Sequence, residues 1–132
     1  MKEITVVAAI IIDTEHRILA TQRGYGAFKD YWEFPGGKVE AGETLEQALQ
    51  REIREELAAD IVIDRHYDIL THTYEERALT VHLHFFLCHL TADSHPTFLE
   101  HEAARWLTRE QLMDVDWLPA DKELVSNLKK TL

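Results

Sequence analysis

Cysteine is nearly absent from this chain: Cys88 is the single example in 132 residues, so no intramolecular disulfide can staple it. The thiol sits in an apolar run, where a buried and unreactive side chain is the expectation. Proline and glycine are also scarce, at three and five, which excludes collagen-like and Pro/Gly-rich disordered architectures. No stretch approaches the ~18 consecutive apolar residues of a membrane-spanning helix, so no membrane partner is expected. Basic residues are outnumbered, 14 against 24 acidic ones, giving a formal net charge of −10 and a pI near 5.2. Such a surface repels long polyanions, so polymeric nucleic acid is not an expected partner. Small phosphates stay accessible to an acidic protein when divalent cations neutralise both sides.

The sequence does hold 45% hydrophobic residues, enough for one compact core, and we expect a single domain over residues 1–132. Met1-Lys2-Glu3-Ile4 leads straight into a strand-like run without a charged n-region or cleavage site. With the lone thiol, this gives the expectation of a cytoplasmic protein. Thr5 to Ile12 and Ile18 to Thr21 read as two opening strands of one sheet, and Gln22 to Asp30, with Gly24 and Gly26, as a surface loop. Trp32 to Phe34 is a short strand candidate running into Pro35-Gly36-Gly37, a tripeptide suited to a sharp turn.

Thr44 followed three residues later by Gln47 is a capping-box pattern, and Leu45, Leu49, Ile53 and Leu57 form an apolar stripe, which predicts a helix over 44–57. Ile61 to Tyr74 and Ala78 to Leu90 read as long antiparallel strands, and Arg105 to Leu107 as a last short one. Thr108 with Gln111 predicts a second capped helix, and Pro119 to Leu132 a third.

The chemistry lies in one spacing. From Gly37 the chain passes through Glu43 to Arg51-Glu52-Ile53-Arg54-Glu55-Glu56-Leu57. At ~100° per residue, Glu52, Glu55 and Glu56 share an arc of roughly 100° on the helix. Carboxylates so crowded are not comfortably ionised together without cations. Mg²⁺ takes oxygen ligands and keeps several waters, so this face suits ions bridged to substrate phosphates, where they acidify water and neutralise the leaving group. A solvated acidic face with an Arg51–Glu55 ion pair is the competing reading for a bare Glu-x-x-Glu-Glu. The flanking fixed positions reverse those odds, because their chance coincidence is on the order of one in ten thousand. His82 and His84 alternate on one strand face, but no Cys or third ligand is placed to join them, and they read as core or pocket residues.

These residues resemble the Nudix box at 37–59, and the preceding Glu33-Phe34-Pro35-Gly36-Gly37-Lys38 is similar to the run in MutT-like members. The box ends in Gly where this chain has Ala58, followed by the small Ala59. A left-handed helix terminus favours Gly, so a locally altered helix end is expected, at a cost of about 1 kcal/mol if the conformation is kept. The resemblance implies an α/β Nudix fold: an α/β/α sandwich around a mixed β-sheet, with a catalytic loop-helix-loop. It implies Mg²⁺, with Mn²⁺ as a substitute, held by Glu52, Glu55, Glu56, the Gly36 carbonyl and a downstream Glu100, with Glu102 as the alternative. Arg51 and Glu43 would orient that cluster.

On the substrate side the resemblance implies roles for Arg23 on phosphates and for Phe28, Glu33, Phe34, Pro35, Gly36 and Asp121 near the nucleotide. For Phe34, simple core packing is the other reading; for Asp121, a helix N-terminal acid. The implied activity is hydrolysis of a nucleoside triphosphate to monophosphate and pyrophosphate, on oxidised or non-standard nucleotides such as 8-oxo-dGTP. Cytidine nucleotides or other nucleoside diphosphate derivatives are the alternative substrates, and a nucleotide-sensing module the non-enzymatic one. The partner is then a small nucleotide, and the protein a monomer or homodimer. Asp121 divides the substrates: ionised, it only accepts hydrogen bonds and suits cytosine or guanine donors; an oxidised guanine needs a donor and an acceptor together, hence a raised pKa.

Overall fold

The computed structural model describes residues 2–98 and 101–131, with the side chains of His101 and Glu102 outside that description. The strands are β1 (Lys2–Ile11), β2 (Ile18–Arg23), β3 (Trp32–Glu33), β4 (Gly36–Lys38), β5 (Ile61–Tyr74), β6 (Leu79–Leu90) and β7 (His101–Leu107); the α-helices are α1 (Leu45–Leu57) and α2 (Lys122–Thr131). One four-stranded sheet runs β4-β1-β6-β5 and a three-stranded sheet runs β3-β2-β7. The larger sheet is mixed, because β1 and β6 are parallel while β4 and β5 pair antiparallel to them.

Strand alternation sends β1 and β6 side chains to two cores. Ile10, Val81, Leu83 and Phe85 pack with Leu124, Val125 and Leu128 of α2. Val7, Ala9, Ile11, Phe86 and Cys88 pack with Leu49, Ile53 and Leu57 of α1. The mixed sheet therefore lies between the two helices, as the α/β/α expectation has it. Burial pushes the Cys88 thiol up to about 12, which keeps it protonated and inert.

Several local expectations are corrected. The two opening strands do not share a sheet: after the turn at Asp13–Arg17 they touch through a single Ile12–Ile18 bridge, and β2 departs to pair with β3 and β7. Pro35-Gly36-Gly37 is not a turn. Gly36 and Gly37 lie opposite Ala8 and Val7 as a strand, and a Cβ on Gly36 would sit 2.0 Å from the Val7 carbonyl oxygen, so glycine permits the pairing itself. Thr108 and Gln111 do form a capping box, yet Arg109–Asp114 is a 3₁₀ segment rather than an α-helix. Trp117 stops it: its indole Nε1 donates to the Leu112 carbonyl at 2.6 Å, withdrawing an acceptor that a continuing helix would use. Pro119–Asp121 is likewise a separate 3₁₀ turn ahead of α2.

The end of α1 is not altered by its alanine. Ala58 keeps the left-handed conformation, with φ 51° and ψ 41°, and its N–H bonds the Arg54 carbonyl at 3.1 Å. The strain remains in the chain, so Ala58→Gly should stabilise the protein by about 1 kcal/mol, or roughly 3–5 °C in Tm. Thermal unfolding measures this; an unchanged or lower Tm refutes it.

Candidate active site

The carboxylate helix is fixed at its start by the reciprocal Thr44–Gln47 bonds, 3.1 and 2.9 Å, and by its stripe in the second core. Its flank toward β4 then carries the acids. Arg51 gathers them: Nε and Nη2 fork onto Glu43 at 2.7 and 3.0 Å, Nη1 reaches Glu52 at 2.9 Å and Glu55 at 3.3 Å, and Nη2 also donates to the Lys38 carbonyl at 3.0 Å. The Glu43 carboxylate, then burial and Glu52, act on this guanidinium, whose pKa is raised; the same bonds hold Glu43 below the usual carboxylate range.

Glu52 is mostly buried, 16% exposed against 57% for Glu55. It reaches the β4 backbone because Gly37 has no side chain: a Cβ there would lie 2.4–2.6 Å from the Glu52 carboxylate. Glu56 accepts the Gly36 N–H at 3.0 Å. The structure thus brings Arg51, Glu43, Glu52, Glu55, Glu56 and Gly36 together. Their donor set is hard oxygen, which suits a divalent cation. Among the described residues no three acidic, His or Cys side chains form a metal cage unaided. Glu100 lies outside the described residues, and so does the side chain of Glu102.

Beside this flank opens a pocket of about 280 Å³, near the lower bound for small-molecule sites. Arg23, Phe28, Glu33, Phe34, Gly36 and Asp121 all line it. Arg23 clamps Glu33 in a fork, 2.7 and 3.1 Å, and its Nη1 holds the Ala27 carbonyl at 3.0 Å, which anchors the loop after β2. Burial works against that guanidinium's charge, but Glu33 outweighs it and its pKa is raised. Phe28, at φ 62°, packs on Tyr74 with centroids 5.2 Å apart. Phe34 is 3% exposed and stacks on Trp117 at 4.7 Å, so it serves the core while closing the pocket wall. Pro35 is buried, its carbonyl accepting the Ala9 N–H at 2.8 Å.

Asp121 is 4% exposed on the pocket wall, one of two buried polar residues among those described. Burial first, then the nearby Glu33 charge, push its pKa well above the ordinary value, against a Phe34 backbone hydrogen bond and Arg23. Tyr74 and Arg77 also line the pocket, and sequence reading missed both. Nothing in their local pattern marks them: Tyr74 looks like any strand aromatic, and Arg77 like a hairpin-tip cation.

Acids are thus gathered on one helix flank by an arginine, beside an apolar pocket with a buried acid, an arrangement consistent with a hydrolase of phosphate anhydrides. Residues 2–128 match the model of the NUDIX domain, and the chain belongs to the Nudix hydrolase family. It is similar to "Putative 8-oxo-dGTP diphosphatase 2" of Mycobacterium tuberculosis (strain CDC 1551 / Oshkosh), 43% identical over 107 residues, covering 76% of this chain and 70% of that protein. It is also similar to "CTP pyrophosphohydrolase" of Escherichia coli (strain K12), 37% identical over 129 residues, covering 95% and 90%. The solution structure of the E. coli ORF135 protein superposes with a TM-score of 0.81 at 34% identity, covering 98% of this chain and 91% of that one. No helix among the described residues is long and apolar enough to cross a membrane.

Proposed function

We propose that the chain is a single-domain, Mg²⁺-dependent nucleoside triphosphate pyrophosphohydrolase that removes oxidised deoxynucleotides of the 8-oxo-dGTP class. The observation that carries the substrate class is the buried Asp121. Its surroundings raise its pKa and so favour the neutral acid, and a protonated carboxyl offers an O–H donor beside a carbonyl acceptor, which complements the O6 acceptor and N7 donor of an oxidised guanine. The related diphosphatase named for 8-oxo-dGTP supports this reading. Cytidine triphosphate is the second reading, favoured by the relative named CTP pyrophosphohydrolase.

Glu52, Glu55, Glu56 and the Gly36 carbonyl would hold the cation, completed by Glu100. When bound, Mg²⁺ supplies charge neutralisation of the phosphates and activation of water. The chain's own groups do the positioning: Arg51 and Glu43 set the carboxylates, Arg23 meets phosphate oxygens at the mouth of the pocket, and Asp121 and Phe34 hold the base. Attack by water on an inner phosphorus then breaks the anhydride and releases nucleoside monophosphate and pyrophosphate.

A panel of nucleoside triphosphates assayed for pyrophosphate with Mg²⁺ tests this directly. 8-oxo-dGTP should give the highest kcat/KM, Mn²⁺ should partly replace Mg²⁺, and excess chelator should abolish turnover. Hydrolysis that persists in chelator sinks the metal-dependent mechanism, and a higher kcat/KM for CTP hands the substrate to the second reading. No hydrolysis of any nucleotide would indicate a sensing module.

A further inference from the structure

We propose that His66 and His84 form a second cation site, on the opposite flank of α1 from the carboxylates, which takes a borderline transition-metal ion of the Zn²⁺ or Cu²⁺ type. The imidazoles come from neighbouring strands, His66 from β5 and His84 from β6. Their facing nitrogens, Nε2 of His66 and Nδ1 of His84, are 3.1 Å apart. Two nitrogens each ~2.0–2.1 Å from one ion are separated by roughly 2.8–3.4 Å, from right-angled to tetrahedral geometry. The pair already has the bite of a single metal, and an ion would replace the one proton the rings share.

Backbone irregularity produces this meeting. The β5 register shifts between Ile63 and Arg65 and again between His66 and Asp68, and such bulges re-aim side chains. The ladder partner of His66 is Phe86, against which its ring stands edge-on at 5.1 Å, so the side chain leans along the strand to His84. His66 is exposed and His84 half-buried, which leaves a route for an ion. Burial, then His66 and His82, lower the His84 pKa, which leaves its ring neutral and able to ligate at pH 7.

His82 is not a competing ligand, although it alternates with His84. Both its nitrogens are occupied, Nδ1 by Thr71 Oγ1 at 3.1 Å and Nε2 by Glu3 at 2.7 Å. Glu46 and Gln50 of α1 border the same depression as His66 and Phe86. No third His, Cys, Asp or Glu among the described residues completes a cage, so water fills the remaining positions. An imidazole pair favours borderline ions, whereas Mg²⁺ prefers oxygen. The two flanks of α1 therefore sort cations by ligand chemistry.

Calorimetric titration of the full chain with Zn²⁺, in millimolar Mg²⁺ to occupy the carboxylate flank, tests the assignment. One Zn²⁺ should bind, His66→Gln and His84→Gln should each weaken it by roughly tenfold or more, and His82→Gln should leave it unchanged. Cu²⁺ bound under the same conditions should show electron-spin coupling to two imidazole nitrogens, reduced to one in either variant. Mg²⁺-dependent hydrolysis, which uses neither histidine, reports that the variants are folded; if His84→Gln is not, the exposed His66→Gln decides alone. No Zn²⁺ binding in Mg²⁺, equal binding by all variants, or loss with His82→Gln would overturn the proposal.

Discussion

Glu56→Gln should lower turnover at least about a hundredfold, or ~2.7 kcal/mol on the barrier, while the protein stays folded. Glu56 Oε2 accepts the Gly36 N–H at 3.0 Å. Glutamine retains an acceptor oxygen of nearly the same reach, so the tie between α1 and β4 survives and only the negative charge is removed. If Glu56 is a cation ligand, that charge is the property on which catalysis depends. Steady-state kcat with saturating Mg²⁺, alongside thermal unfolding, separates the two effects. A kcat within fivefold of wild type would remove Glu56 from the site; a large fall in Tm would make its role structural.

Asp121→Asn should change both specificity and stability, and in a pH-dependent way. An ionised Asp121 would suit cytosine, and on that basis its replacement by asparagine would raise the kcat/KM ratio of 8-oxo-dGTP over CTP by roughly tenfold, ~1.4 kcal/mol for one hydrogen bond. The fold places the carboxyl at 4% exposure with Glu33 nearby, and both factors raise its pKa, favouring the neutral acid. Asparagine copies the donor and acceptor of that neutral acid. The tenfold gain should therefore emerge only above the folded-state pKa, where wild type ionises and the variant does not, and vanish below it.

Stability follows the same group. With the folded pKa raised, the folded state binds more protons than the unfolded one, so wild-type stability falls as pH rises from the unfolded pKa to the folded one. The loss is about 1.4 kcal/mol for each pH unit between them. Asp121→Asn should be the more stable protein at pH 7–8, with the difference closing near pH 4. A ratio independent of pH and parallel stability curves would mean that Asp121 is ionised and that the base is read elsewhere in the pocket.

The sequence made the carboxylate helix legible because a helix writes its geometry into local spacing. Thr44, Gln47, the Leu45-Leu49-Ile53-Leu57 stripe and the three glutamates lie within one element, and the structure places them as that spacing requires. The long β5 and β6 strands were legible for the same reason, their β-branched and aromatic content being local. By itself the sequence determined the family, the acidic flank and the chemistry that hard oxygen ligands can support.

Contacts between distant segments decided the rest. Gly36 and Gly37 resemble a turn until Val7 and Glu52 are placed against them. Thr108 and Gln111 carry a helix signal that Trp117 cuts short through one carbonyl. His82 and His84 alternate along one strand, yet His84 meets His66 of the next strand, because bulges set the cross-strand register and no local pattern encodes them. Asp121 could be read as a helix-end acid until tertiary packing enclosed it beside Glu33, which is distant in sequence. Only the fold shows that burial, which raises its pKa.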